Sequence, residues 1–278
     1  MSRTLISEAA DQLAAAGVAS PRHDAEALAA YVLGVPRGRL ALVDPAVFES
    51  ARATYAAAVA RRAAREPLQH VVGSAPFRRL ELAVGPGVLI PRPESELLVD
   101  AVVAWLRAED LPAARVVDLG TGTAALALAI ADETAAAVWA VERDPAALAW
   151  ASRNVEVTGP AVELVAGDMA DALPELDGTV DVVVSNPPYL SLDLLPVLEP
   201  EVRDHDPAGA LFAGTDPLAA IRTVESSARR LLRPGGLVVV EHADDQGESA
   251  PACFAGWHDV RDHLDLARRP RYLTAVHP

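Results

Sequence analysis

Asn186-Pro187-Pro188-Tyr189 follows directly on the apolar run DVVVS (181–185). No other tetrapeptide in the chain points as directly to chemistry. Two consecutive prolines force extended, rigid backbone just past a strand end. Pro187 lacks an N–H but keeps a carbonyl that can accept a hydrogen bond. The Asn186 side-chain oxygen is a second acceptor, and Tyr189 offers a flat face. Two acceptors in fixed geometry suit the two hydrogens of one –NH2 group. Held that way, the nitrogen is oriented and its electron density raised, and a sulfonium methyl about 3 Å away could be attacked in line. No strong base is needed first, because the proton becomes acidic once the nitrogen is alkylated. The plainer alternative is a structural turn at a strand end, and the residues upstream weigh against it.

Upstream, DLGTGT (118–123) follows a strand-like run and opens a helix. Glycines there let backbone pass close to a ligand at the carboxyl end of a strand. A dinucleotide-binding turn would read G-x-G-x-x-G, but after Gly120 and Gly122 position 125 is Ala. Glu142 ends the next strand-like run, where a carboxylate can accept hydrogen bonds from two ribose hydroxyls. Its alternative is an ordinary exposed acid. Asp168 and Met169, in GDMADAL (167–173), would sit beside an adenine; helix N-capping explains Asp168 alone equally well. Together these features suit an adenosine ligand whose tail carries no phosphates. All 24 basic residues are Arg, so no P-loop lysine is available.

These residues need a scaffold to hold them. From 115 the chain alternates strand-like runs (115–119, 138–142, 162–166, 181–185, 237–241) with helix-like runs (around 123–132, 145–157 and 216–232). Near-continuous apolar strands between helices predict a parallel sheet covered on both faces. The terminal RYLTAVHP predicts a last strand, which could run antiparallel. The first part reads as short helices. Leu5, Ala9, Leu13 and Ala16 recur at helical spacing, Ser20-Pro21 supplies an N-cap and N1 proline, and Asp44-Pro45 starts another helix. Residues 67–93 alternate at Leu80, Leu82 and Val84 among glycines and prolines and predict a β-hairpin. The segment 91–106 then opens a helix with acidic residues in its first turn. The expected domains are 1–66 (helical), 67–93 (hairpin linker) and 94–278 (the α/β part that carries the candidate site residues).

Composition narrows the field. The 278 residues carry a net charge of −15, a poor match to a nucleic-acid surface, since phosphate neutralisation drives that affinity. Arg61, Arg62 and Arg65 form the best basic patch, and a solvated helix C-terminus accounts for them. One cysteine, Cys253, cannot form an internal disulfide, and no Cys/His spacing suits zinc. His205 between two aspartates reads as a solvated loop, Arg203 as a substrate contact or a pair with a neighbouring carboxylate, and His242 as a packed histidine. Glu8 and Asp11 interrupt any secretory apolar stretch, and no run approaches membrane-spanning length, so a cytoplasmic monomer with no membrane or metal partner is expected.

The chain also resembles a known family. Asn186 to Tyr189 after DLGTGT is similar to amino-methyltransferases acting on exocyclic or amide nitrogens. HDAEALAAYVLG (23–34), REPLQHVVG (65–73), LIPRPESE (89–96), EVRDHDPAGALFAG (201–214) and LLRPGGLVVVEH (231–242) resemble the peptide chain release factor glutamine methyltransferases (HemK/PrmC type). The resemblance implies a class I S-adenosylmethionine methyltransferase: α/β, with a Rossmann-like, mostly parallel seven-stranded sheet and a small N-terminal helical domain. It implies methyl transfer to the side-chain amide nitrogen (N5) of the Gln in the GGQ motif of peptide chain release factors. Carried over by motif, Gly120, Thr121, Gly122, Thr123, Ala124, Glu142, Asp168, Met169 and Asn186 would contact S-adenosylmethionine. Asn186, Pro187, Pro188 and Tyr189 would hold the Gln amide, beside a wall of Pro91, Arg92 and Pro93. The family's loop usually has a third glycine where this chain has Ala124. At positive φ an alanine there costs on the order of 1 kcal/mol or more, and in helical backbone nothing. An adenine-N6 nucleic-acid methyltransferase and a ribosomal-protein glutamine methyltransferase are the alternatives with the same chemistry.

Overall fold

The computed structural model describes residues 2–158 and 162–278. The chain forms two compact units: residues up to Ser74 with Glu199–His205, and Ala75–Leu198 with Asp206–Pro278.

The first unit is helical. Helices Ser2–Ala15, Pro21–Leu33 and Arg52–Ala63 turn Leu13, Leu28, Ala29, Tyr55 and Val59 into a shared core. Pro21 opens the second helix as its sequence predicts, although the Ser20 side chain makes no capping hydrogen bond. Gly34 closes it at φ 63°, its N–H bonded back to the last turn, the left-handed cap that glycine favours. Arg62 departs from the expected solvated helix end. It is buried and pairs with Asp24 at 2.8 Å and Glu201 at 2.7 Å. Arg65 reaches Glu201 at 2.6 Å and Glu199 at 3.0 Å. Burial alone would raise the Glu201 pKa; hydrogen bonds from Arg65 and Arg62 outweigh it and hold the carboxyl at about 2. Both acids come from a segment more than a hundred residues downstream, which local charge reading could not pair with these arginines. His205 ends the helix Pro200–His205, half-buried, with its ring 6.3 Å from that of His70.

The stretch 67–93 is only partly a hairpin. β1 (Ser74–Phe77) and β2 (Leu80–Ala83) form a two-stranded sheet, but Leu68–Val72 is a short helix between Pro67 and Gly73. Five residues are too few to show a helical period. At the hairpin tip Arg78 takes φ 54°. Its backbone N–H donates to Glu96, and its guanidinium binds Glu133 (2.7 and 2.8 Å) and Asp100 (2.8 Å).

The second unit is built on a seven-stranded sheet. Its strands are β3 (Arg115–Leu119), β4 (Ala137–Glu142), β5 (Val162–Ala166), β6 (Val180–Ser185), β7 (Leu232–Glu241), β8 (His258–Leu264) and β9 (Pro270–Val276). The order is β5-β4-β3-β6-β7-β9-β8; β3 to β7 pair in parallel, and β9 runs antiparallel to β7 and to β8. Successive residues feed two cores. Val116, Val182, Val184 and Val239 pack with helices Glu96–Ala108 and Ala125–Glu133 on one face. Val117, Val183, Val238 and Val240 pack with Ala219–Leu231 on the other. Both faces are dry, which is why these strands read as unbroken apolar runs rather than alternating ones. β8 is absent from the sequence reading because HDVRDHL is mostly charged; as an edge strand it keeps those side chains in solvent. No described helix is long and apolar enough to cross a membrane.

Candidate active site

The carboxyl ends of β3, β4 and β6 open onto a cavity of about 390 Å³, a size that suits a nucleoside-sized ligand. Gly120 and Gly122 take φ 73° and 58°, turning the chain between β3 and the helix Ala125–Glu133 so that backbone faces the cavity. A side-chain carbon at Gly120 would sit 3.4 Å from the Met169 methyl. Asp118, beneath the turn, is fully buried; its Oδ2 accepts from Thr121 Oγ1 (2.5 Å) and the Ala127 N–H (3.2 Å). Burial pushes its carboxyl up to about 7, with the charge of Glu142 adding to the rise and those two hydrogen bonds opposing it. Asn154 braces the turn from behind, donating to Thr123 O (3.0 Å) and Ala83 O (3.1 Å) and accepting from Ala83 N (2.8 Å). One buried amide thus ties the hairpin to the glycine turn.

Glu142 lines the cavity at the end of β4. Its carboxylate accepts from the N–H groups of Gly122 (2.9 Å), Arg143 (2.9 Å) and Asp144 (2.8 Å), which fix its direction and leave about one lone-pair site, on Oε2, for a ribose hydroxyl. Met169 also lies on the wall, whereas the Asp168 side chain does not. Asp168 Oδ1 accepts from the Ala170 N–H and Oδ2 pairs with Arg143 at 3.1 Å; these two contacts hold its carboxyl below the usual range.

Asn186 follows β6 and faces the cavity, with Pro188 beside it; Pro187 and Tyr189 lie off its wall. The Asn186 Nδ2 donates to Ser95 Oγ at 3.1 Å, and Ser95 Oγ donates to Glu241 Oε2 at 2.5 Å. The Tyr189 hydroxyl donates to the other Glu241 oxygen at 3.1 Å. Burial raises the Tyr189 phenol above its ordinary range and the Glu241 charge raises it further, so it stays a donor. Burial also raises the Glu241 carboxyl, against the bonds from Ser95 and Tyr189 and the charge of Arg271. Ser95 is placed by Pro93, which opens a short 3-10 turn ahead of the helix Glu96–Ala108.

Arg92 and Pro91 line the cavity opposite and Pro93 does not. Arg92 is extended, as a residue before proline must be, and its guanidinium binds Asp206. Pro207, Gly209 and Ala210 complete that wall. Ala124 lies off the wall as well; its methyl is buried in the core, at φ 64° and ψ 25°. His242 packs away from the cavity, bonded to Ala243 O and Asp262, and Arg203 pairs with its neighbour Asp204. Among the described residues no group of three or more His, Cys, Asp or Glu is placed to hold a metal ion. Ser95, Glu241 and Asn154 are the residues that motif reading passed over. Asn154 carried a faint signal, a lone amide on the buried face of its helix.

The chain matches two family models, the PrmC N-terminal domain over residues 4–73 and the methyltransferase small domain over 94–193. It is 53% identical to the release factor glutamine methyltransferase of Streptomyces coelicolor over 274 residues, 97% of this chain and 96% of that one. It is 51% identical to that of Mycolicibacterium smegmatis, covering 99% of this chain and 97% of the relative. Among solved structures it shares its fold with a T. thermophilus 16S rRNA N2 G1207 methyltransferase in complex with AdoMet and guanosine. That likeness has a TM-score of 0.53 at 23% identity, over 74% of this chain and 50% of that one.

Proposed function

The chain belongs to the release factor glutamine methyltransferases, and from the cavity described above we propose how its residues act on a glutamine amide. The methyl group comes from S-adenosylmethionine and goes to the side-chain nitrogen (N5) of the Gln in the GGQ motif of a peptide chain release factor. One observation carries this reading. The Asn186 amide is tied through its NH2 to Ser95, so its carbonyl is left as an acceptor at the cavity.

The donor set fits the cofactor. Glu142 suits a ribose hydroxyl, Met169 and Gly167 an adenine face, and the turn at Gly120 and Gly122 close approach by the amino-acid tail. When bound, S-adenosylmethionine supplies an electrophilic methyl. Everything else falls to the chain. Asn186 Oδ1 accepts a hydrogen bond from one N–H of the acceptor amide at the cavity wall, and the carbonyl of Pro187, a residue off that wall, is assigned the other; together they orient the nitrogen and lend it electron density. Pro188 and the Pro91-Arg92 wall narrow the cavity around it and exclude water. The helical unit is the proposed grip on the release factor, with residues 1–66, 67–93 and 94–278 as its recognition, linker and catalytic parts.

The test is methyl transfer from labelled S-adenosylmethionine to a purified release factor. A Gln-to-Ala variant of the GGQ motif and a DNA oligonucleotide run alongside. Label on the intact release factor alone is expected, and Asn186→Ala should lower turnover by roughly 10²- to 10³-fold, as losing a preorganised polar contact does. Label on the oligonucleotide, or unchanged turnover in Asn186→Ala, would overturn the assignment.

A further inference from the structure

We propose that Ser95 and Glu241 are positioning residues for the transfer: a one-way hydrogen-bond relay that sets which end of the Asn186 amide faces the acceptor. The inference deepens the reading above and rests on it.

An amide side chain is nearly symmetric in shape, and its two ends do opposite things: Oδ1 accepts and Nδ2 donates. An Asn186 turned the wrong way would present N–H groups to the N–H groups of an incoming amide and repel it. The backbone cannot prevent that turn, because rotation about the last side-chain bond is soft and roughly two-fold. Something must polarise it. Glu241 accepts at both oxygens, Oε1 from the Tyr189 hydroxyl and Oε2 from Ser95 Oγ at 2.5 Å, so Ser95 gives up its single hydrogen there. Having spent its hydrogen, Ser95 can only accept from Asn186, at 3.1 Å. The Asn186 NH2 is therefore held toward Ser95 and Oδ1 toward the cavity. The second carboxylate oxygen takes the Tyr189 hydroxyl at 3.1 Å and so steadies the other end of the tetrapeptide.

Ser95 and Glu241 are both buried, and Asn186 and Tyr189 half-buried. A hydrogen-bonded network of this kind acts as a unit. Both carboxyl oxygens of Glu241 serve as acceptors, Oε2 from Ser95 and Oε1 from Tyr189. Arg271, on β9, favours the ionised form; burial and Glu94, on the turn before Ser95, oppose it. Ser95 lies on the cavity wall and Glu241 off it, and the role assigned to both is exerted through Asn186 and Tyr189.

The experiment uses the full chain with three variants, Ser95→Ala, Glu241→Gln and Ser95→Thr. Steady-state kinetics are measured with release factor, and the Asn186 side-chain NH2 pair is followed by ¹⁵N spectroscopy, assigned by its absence in Asn186→Asp. Ser95→Ala is expected to lower kcat roughly ten- to a hundredfold, the scale of a small misplacement, with KM for both substrates within about threefold. Ser95→Thr keeps the hydroxyl and restores most of the loss. Glu241→Gln lowers kcat too, and the double variant Ser95→Ala/Glu241→Gln turns over no more slowly than the worse single variant. The Asn186 NH2 pair is resolved and exchange-protected in the native chain and loses that protection in Ser95→Ala. A Ser95→Ala kcat within twofold of native, or an unmoved NH2 pair, overturns the relay. If the native chain transfers no methyl to release factor, the acceptor reading fails, and the NH2 spectra still decide the relay on their own.

Discussion

Ala124 is where the chain's own chemistry strains its fold, and the strain can be weighed. At φ 64° and ψ 25° it holds a left-handed conformation that costs an L-residue roughly 1–2 kcal/mol. Ala124→Gly removes that cost. It also frees the unfolded chain by about 0.4–1 kcal/mol of entropy and removes one fully buried methyl, worth about 0.8 kcal/mol. The losses, roughly 1.2–1.8 kcal/mol in all, cancel the gain almost completely. Alanine is thus tolerated here because burial of its methyl offsets its backbone. The expected change on Ala124→Gly is below about 1 kcal/mol in either direction, or no more than about 4 °C in Tm for a unit of this size.

The same geometry fixes a second half of the prediction. The Ala124 methyl sits in the core and not on the cavity wall, so cofactor affinity should move less than threefold. Ala124→Val tests the converse. A β-branched residue at positive φ, with two added carbons in a packed core, should destabilise by on the order of 2–4 kcal/mol. All four tryptophans, Trp105, Trp139, Trp150 and Trp257, lie in the unit that contains the cavity, so urea titration by tryptophan fluorescence reads that unit alone. Calorimetric titration of S-adenosylmethionine supplies the affinity. A gain above about 2 kcal/mol on Ala124→Gly, or a tenfold tighter cofactor, would refute the reasoning, since either would mean that the methyl is not well packed where it lies.

Two other perturbations follow from buried charge. Asp118 keeps its proton more tightly folded, at about 7, than unfolded, where 3.8 is its ordinary value. Its contribution to stability is therefore full below pH 4 and lost as pH rises through 7, by at most about 4 kcal/mol. Asp118→Asn cannot ionise and should flatten the decline between pH 5 and pH 8; equal slopes for native and variant, by urea midpoint, would refute this. Arg62→Ala strips the buried Asp24 of its guanidinium, while Glu201 keeps Arg65, and should cost the helical unit about 3–5 kcal/mol. Limited proteolysis of that unit reads the loss, and a native digestion rate in the variant would overturn the estimate.

What could be read in the sequence was local. The turn after β3, Glu142 at the end of β4 and the tetrapeptide after β6 each lie within a few residues of an apolar run, and a parallel strand presents its carboxyl end to ligand wherever it stands in the sheet. The antiparallel last strand was legible for the same reason. What escaped was set by the third dimension. Ser95 and Glu241 are 146 positions apart, and no spacing rule joins a serine before one helix to a glutamate at the end of β7. Arg62 reads as one of several arginines on a helix end until Glu201 arrives beside it. The sign of φ at Ala124 depends on how the turn meets its helix, which the residue type alone argues against.

The composition explains why so much of the site rests on these distant polar contacts. Aromatic residues make up 4% of the chain, and the helix beneath the glycine turn is ALALAIADE. Small side chains pack well but leave little bulk to wedge a loop in place. Where a Phe or Trp could lock a turn by shape, this chain uses hydrogen bonds: Asn154 between Ala83 and Thr123, Glu241 between Ser95 and Tyr189, and the half-buried Arg78 between two helices. Such contacts add modest net stability when complete, and cost the full desolvation of the stranded partner when one member is lost. Conservative apolar changes around the cavity should be absorbed, whereas single-atom changes at Asn154, Ser95 or Glu241 should not.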